Sequence, residues 1–215
     1  MHGPGVLLFA AAVTGEPSFG SSGQLVLSLP RLLPVVALDV RTVHAAGPVD
    51  ATTGTSVALG NHPSGLDVYD LPRVGLDTLV TGRVTLGVEV AGYATLGATP
   101  SAGAPYVTLL GAAPRVGYLA PLASVVSAWL RAGASLYFYG EKAIDWSSGW
   151  RQLDADLEAL LVFTGFPHVA VTAGAVAELP LAGRFDETRS GGGPAVDAGA
   201  SWLHVGLVGG LLTYF

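Results

Sequence analysis

Three observations predict an all-β fold: a closed, antiparallel, up-and-down transmembrane β-barrel made by residues 1–215 as a single domain. The first is composition. Half of the residues are hydrophobic and mean hydropathy is +0.53, yet only 12% are charged, where a soluble domain carries about a quarter. No stretch supplies the roughly 18–20 uninterrupted apolar residues of a spanning helix. The second is a period of two, with apolar and polar residues alternating in segment after segment. The third is spacing, since short turns alternate with longer stretches rich in Gly, Pro, Ser and Asp.

The first segment, 5–14 ("GVLLFAAAV"), barely alternates. It could also pass for the apolar part of a signal peptide, but "MHGP" before it has no Lys or Arg and no clean small-x-small site follows. The expectation is a strand of the mature chain, with an export signal once ahead of it. Residues 20–29 set Gln24 and Ser28 against Leu25, Leu27 and Leu29, and 34–44 set Asp39 and Arg41 against Val36, Leu38 and Val40. In 72–80, Arg73 and Asp77 oppose Val74, Leu76 and Val80. In 83–96, Arg83, Thr85, Glu89 and Tyr93 oppose Val84, Leu86, Val88, Val90 and Ala94. After a strand at 105–118 carrying Arg115, segment 124–139 is the clearest: Val126, Ala128, Leu130, Ala132, Ala134, Leu136 and Phe138 face away from Trp129, Arg131, Ser135 and Tyr137. In 152–163, Asp154, Asp156 and Glu158 oppose Leu153, Ala155, Leu157, Ala159, Leu161 and Phe163. Segment 168–179 sets His168, Thr172 and Glu178 against Val169, Val171, Ala173, Ala175 and Leu179, and a last strand covers 196–213.

Short turns are expected at 30–33, 81–82, 119–123 and 165–167, and long loops at 45–71, 97–104, 140–151 and 180–195. Short turns on one side and long loops on the other are the asymmetry of bacterial transmembrane barrels. Ten strands use every residue and keep both termini on the short-turn side; eight, without the first two, is the alternative. Closure follows because an open apolar sheet aggregates and unpaired backbone groups in lipid cost several kcal/mol each.

Orientation rests on charge. A soluble barrel would turn its polar face to water and carry many Lys and Glu there, but this chain has one lysine, Lys142, among its ten basic residues. The opposite orientation turns the apolar face to lipid and puts Asp39, Arg41, Arg73, Asp77, Arg83, Glu89, Arg115, Arg131, Asp154, Asp156, Glu158 and Glu178 into the lumen as candidate pore-lining charges. There both signs can neutralise one another; an Arg facing the bilayer midplane would cost about 2–4 kcal/mol. Phe138, Phe163, Tyr106 and Tyr118 fall near strand ends on the apolar face, where aromatic girdles sit.

The C-terminal stretch "HVGLVGGLLTYF", with Gly210, Tyr214 and Phe215, resembles the last-strand signature of bacterial outer-membrane β-barrels. The resemblance implies that the C-terminal aromatic is read by the barrel-assembly machinery; at the position two before the end the signature is aromatic or apolar, and here it is Thr213. The stretch "APRVGYLAPLASVVSAWLRAGASLYF" also resembles hairpins of small outer-membrane barrel proteins of Gram-negative bacteria. Together these imply an address in the Gram-negative outer membrane, with lipid as a partner, and no reaction.

Candidate chemistry is sparse. The run Asp154, Asp156, Glu158 could serve general acid/base work, a cation site or ion selectivity; pairing with Arg131 or Arg115 is the structural reading and the favoured one. Omptins, ten-stranded outer-membrane proteases, use acidic residues with a His near the outer rim, and no matching His–Asp pair is visible. His168 and His204 have lumen-facing parity, but no metal-ligand spacing, and His2, His44 and His62 lie at loops or ends. No Gly-x-Ser-x-Gly elbow, phosphate loop or zinc motif occurs, and "SGGG" at 190–193 reads as a loop. Trp146 and Trp150 are expected at a loop, as interface anchors or ligand contacts. A net charge of −6 without a basic cluster argues against nucleic acid. The absence of cysteine excludes disulfides and thiolate chemistry. The expectation is therefore a barrel with a charged, mostly filled lumen, structural or a narrow pore for ions or small solutes, without enzyme activity, cofactor or metal. The alternatives are a soluble lipocalin-like binder and, behind it, an outer-membrane hydrolase.

Overall fold

The computed structural model describes residues 19–44, 51–59, 71–95, 105–189 and 195–215; the expected strand at 5–14 lies outside them. Nine strands are present among these residues: β1 (Leu25–Val43), β2 (Thr52–Leu59), β3 (Val74–Leu79), β4 (Val84–Ala94), β5 (Tyr106–Ala123), β6 (Val126–Lys142), β7 (Trp146–Phe166), β8 (Val169–Arg189) and β9 (Val196–Tyr214). All ladders are antiparallel, in the order β2-β1-β3-β4-β5-β6-β7-β8-β9, and a β1–β9 ladder from Val26–Tyr214 to Val43–Ala200 joins the sheet into a ring. β2 and β3 share one edge of β1: Val36–Val43 pairs with β2 and Leu25–Ser28 with β3, while β9 occupies the other edge.

Burial alternates residue by residue, as a period of two demands. Leu130 and Leu157 are 52% and 46% exposed, whereas Arg131 and Asp156 are 3% and 2% exposed. The apolar face therefore looks outward and the charged face inward. A lipocalin-like interior would need the reverse, so that alternative fails on orientation.

Several expected boundaries are corrected. The turn at 30–33 does not form, and the segments expected as separate strands at 20–29 and 34–44 are one strand, β1. Its register against β9 shifts between Leu29 and Leu33 and again between Pro34 and Val36. Pro30 and Pro34 lack an amide donor for a regular ladder, and the chain answers with a bulge in place of a reversal. The loop at 140–151 is mostly ladder, running through Gly140–Gly149 and Lys142–Ser147. β8 likewise continues to Arg189 through the stretch expected as a loop at 180–195, and β2 forms inside the expected loop 45–71. These three lack a clean apolar face, so the pattern that reports strands fades where pairing continues. Two turns move slightly, to Ser124–Val125 and Pro167–His168, and the turn around 81–82 forms as expected.

Candidate functional site

Inward-facing side chains stack in three tiers. At the short-turn end Val26, Leu79, Leu119, Trp129, Leu160, Val162, Leu212 and Tyr214 form an apolar cluster, closed by Phe19. The Phe19 ring lies 5.2 Å from that of Tyr214 and 6.2 Å from that of Trp129. Trp129 satisfies its indole N–H by donating to Thr85 Oγ1 at 3.1 Å.

The second tier is ionic. Four guanidinium groups, of Arg31, Arg73, Arg115 and Arg131, meet Asp77, Glu89, Asp156, Glu158 and Glu178, all of them buried. Arg31 reaches Glu178 at 2.7 Å, Glu158 at 3.2 Å and Asp156 at 3.3 Å. Arg73 lies 2.6 Å from Glu178, which also accepts the Tyr137 hydroxyl at 2.8 Å. Arg115 donates through Nε and Nη2 to the two oxygens of Asp77, at 3.0 and 2.5 Å, the bidentate geometry that suits a guanidinium. It also contacts Glu89, and Arg131 contacts Glu158 directly and Glu89 at 3.4 Å. Room for this comes from Gly75, where a Cβ would stand 2.6 Å from Arg115 Nη2.

Above it, His204 Nδ1 meets Asp39 Oδ1 at 2.7 Å, and Gln152 donates to Asp154 at 2.5 Å and to the Trp202 carbonyl at 2.6 Å. The third tier, Leu109, Tyr137, Trp150, Ala200 and Trp202, packs with Leu71, Tyr93, Tyr139 and Phe185. Arg41 lies over the Trp202 ring, 3.4 Å from its centroid. The ring interior is thus apolar, then ionic, then aromatic.

All seven carboxylates expected inside are buried there, together with Arg73, Arg115 and Arg131. Two arginines depart from expectation. Arg41 is on the inner side but exposed at the open end, and Arg83 is exposed in the 80–83 turn, donating to the Tyr118 hydroxyl at 3.2 Å. Parity gives a side of the sheet and no depth along it. Arg31, which was expected in a turn, is instead a centre of the ionic tier; a charged residue inside "SLPRLLPVV" was the available signal. His168 is not in the lumen but in a turn at φ 62°, beside the Tyr214 carbonyl at 3.0 Å. Trp150 is an inward residue of the aromatic tier and not an anchor, with its N–H on Gln152 at 3.1 Å. Gly210 seats the β1 bulge, since a Cβ there would lie 2.5 Å from the Leu29 carbonyl oxygen; Tyr214 is buried and Phe215 exposed.

Glu89, Asp156 and Glu158 each offer an oxygen within 4.8 Å of the others. The surrounding guanidinium groups already supply the positive charge that a cation would bring.

No protein-family model matches the chain, and no curated protein matches it. Among solved structures it is similar to the attachment invasion locus protein Ail of Yersinia pestis, at 10% identity and TM-score 0.41, over 90% of this chain and 99% of that one. It is similar at 11% identity and TM-score 0.41 to the N-terminal β-barrel domain of Pseudomonas aeruginosa OprF, over 90% and 98% of the two chains. A major outer membrane protein from Thermus thermophilus gives 13% identity and TM-score 0.44, over 84% and 100%.

Proposed function

We propose that the chain is an integral outer-membrane β-barrel of a Gram-negative bacterium whose filled interior makes it a structural element and not a conduit. The observation that carries this is the outward apolar band set against the inward charges. On β7 the outward residues Leu153, Ala155, Leu157, Ala159, Leu161 and Phe163 carry no polar atom, and the next outward residue, Arg151, is exposed. That span of strand, at about 3.3 Å per residue and a tilt of about 40°, climbs roughly 25 Å, the height of a barrel's apolar band. That β2 and β3 occupy one edge of β1 supports counting them as halves of one strand position in a closed barrel of eight. An interior of that size is filled by side chains, and the three tiers fill it. Assembly would proceed through the barrel-assembly machinery acting on β9. No catalytic role is part of the proposal.

The test is refolding into phospholipid vesicles, followed by gel mobility with and without boiling and by single-channel recording. The expected result is a heat-modifiable, inserted barrel that stays electrically silent. A chain monodisperse without detergent overturns the membrane assignment; regular step conductance from the folded form overturns the structural role.

A further inference from the structure

We infer that the outer wall holds a phospholipid at its short-turn end, with the phosphate on Arg83 and Tyr118 and an acyl chain in the groove beside them. This rests on the membrane reading above. Three exposed arginines at the loop end each have a carboxylate: Arg151–Asp186 at 3.9 Å, Arg184–Asp197 at 2.5 Å and Arg189–Glu187 at 2.7 Å. Arg83 differs. Among the described residues no carboxylate pairs with it, and no Asp or Glu occurs in the short-turn segments 19–25, 79–85, 118–129, 161–170 and 211–215. Its guanidinium is held on the outer side by donating to the Tyr118 hydroxyl at 3.2 Å, which leaves its other N–H groups pointing to the surroundings.

The second observation is independent. Val84, Val116, Tyr118 and Leu130 begin an outward groove of about 700 Å³ that continues over Ala132 and Ala159. That volume lies within the 300–1,000 Å³ range of small-ligand sites. The alanines lower the floor between larger Leu and Val side chains, and the groove starts where Tyr118 meets Arg83. A guanidinium and a phenol at the end of an apolar trough match an anionic head joined to a hydrocarbon tail. Neither half of that ligand alone satisfies both features.

The experiment uses the full chain, refolded in detergent and titrated with phosphatidylglycerol, dioleoylglycerol or inorganic phosphate under native mass spectrometry. One retained phosphatidylglycerol per barrel is expected, with negligible adduct from the glyceride lacking phosphate or from phosphate alone. Arg83→Ala should weaken retention about tenfold, and Ala159→Phe, which fills the groove away from Arg83, should weaken it as well. Equal retention by Arg83→Ala, or equal binding of dioleoylglycerol, overturns the site, as does a dimer lost on Ala159→Phe, which would give the groove to a second copy. Insertion into vesicles is scored in parallel by gel mobility. A chain that does not insert removes this site and the membrane reading together, whereas an inserted barrel with Arg83-independent retention removes this site alone.

Discussion

The two sides of the ring are built differently. From β5 to β9 the wall is long and mostly regular; the β6–β7 ladder runs from Val126–Phe163 to Lys142–Ser147 without a shift. Around β1 to β3 the wall is irregular, with two register shifts in β1 and strands of only 8 and 6 residues beside it. The regular wall contributes Asp156, Glu158 and Glu178 to the interior, and the irregular one contributes Arg31, at the bulge, and Arg73, just before β3. Both guanidinium groups converge on Glu178. Bulges commonly re-aim a side chain, and here the bulge turns Arg31 inward, whereas Arg73 follows strict alternation with Gly75 and Asp77.

That division can be broken most severely at Arg31. Arg31→Met should destabilise the barrel by about 3–5 kcal/mol, because three buried carboxylates lose a shared partner. The check is urea unfolding in phospholipid vesicles followed by tryptophan fluorescence. Adding Glu178→Gln should recover part of the loss; a cost below about 1 kcal/mol for Arg31→Met would mean that the bulge does not serve the ionic tier. On the regular wall the corresponding break is outward. Leu157→Arg should cost about 2–4 kcal/mol in the same assay, since a charge would then face hydrocarbon.

The seam between the two walls should respond more mildly. Gly210→Ala places a methyl against the Leu29 carbonyl and Pro30, and overpacking of this kind costs about 1–3 kcal/mol. Unchanged stability would show that the bulge can shift at little cost. The same seam marks where sequence stops reporting structure. On β6 and β7 nearly every outward residue is apolar and the inward ones include the charges, so alternation alone places Arg131, Asp156 and Glu158. At Pro30–Pro34 two prolines and two leucines surround one arginine, and a turn and a bulge have the same composition. Beyond the apolar band, at 140–151 and 180–189, both faces are polar or mixed, so strands that continue to pair look like loops. Arg41 and Arg83 fail for a related reason: period two fixes the side of a sheet, while depth depends on where each ladder ends.

The smallest effect is expected where both walls have left the band. Arg184 and Asp197 form a bidentate pair at 3.0 and 2.5 Å, with side chains 62% and 59% exposed. In geometry it matches the buried Arg115–Asp77 pair, also 3.0 and 2.5 Å, so the two differ in solvent and in the neighbouring Glu89 and Arg131 of the buried pair. A double-mutant cycle with Arg184→Ala and Asp197→Ala should give a coupling of about 0.2–1 kcal/mol, shrinking further in 1 M salt as screening shortens to about 3 Å. The cycle with Arg115→Met and Asp77→Leu should instead show a large single-variant cost that the double variant partly cancels, because each single change strands a buried charge. If the two cycles return equal couplings with equal salt dependence, water reaches the ionic tier as freely as it reaches the rim. The filled interior would then have to be replaced by a wetted one.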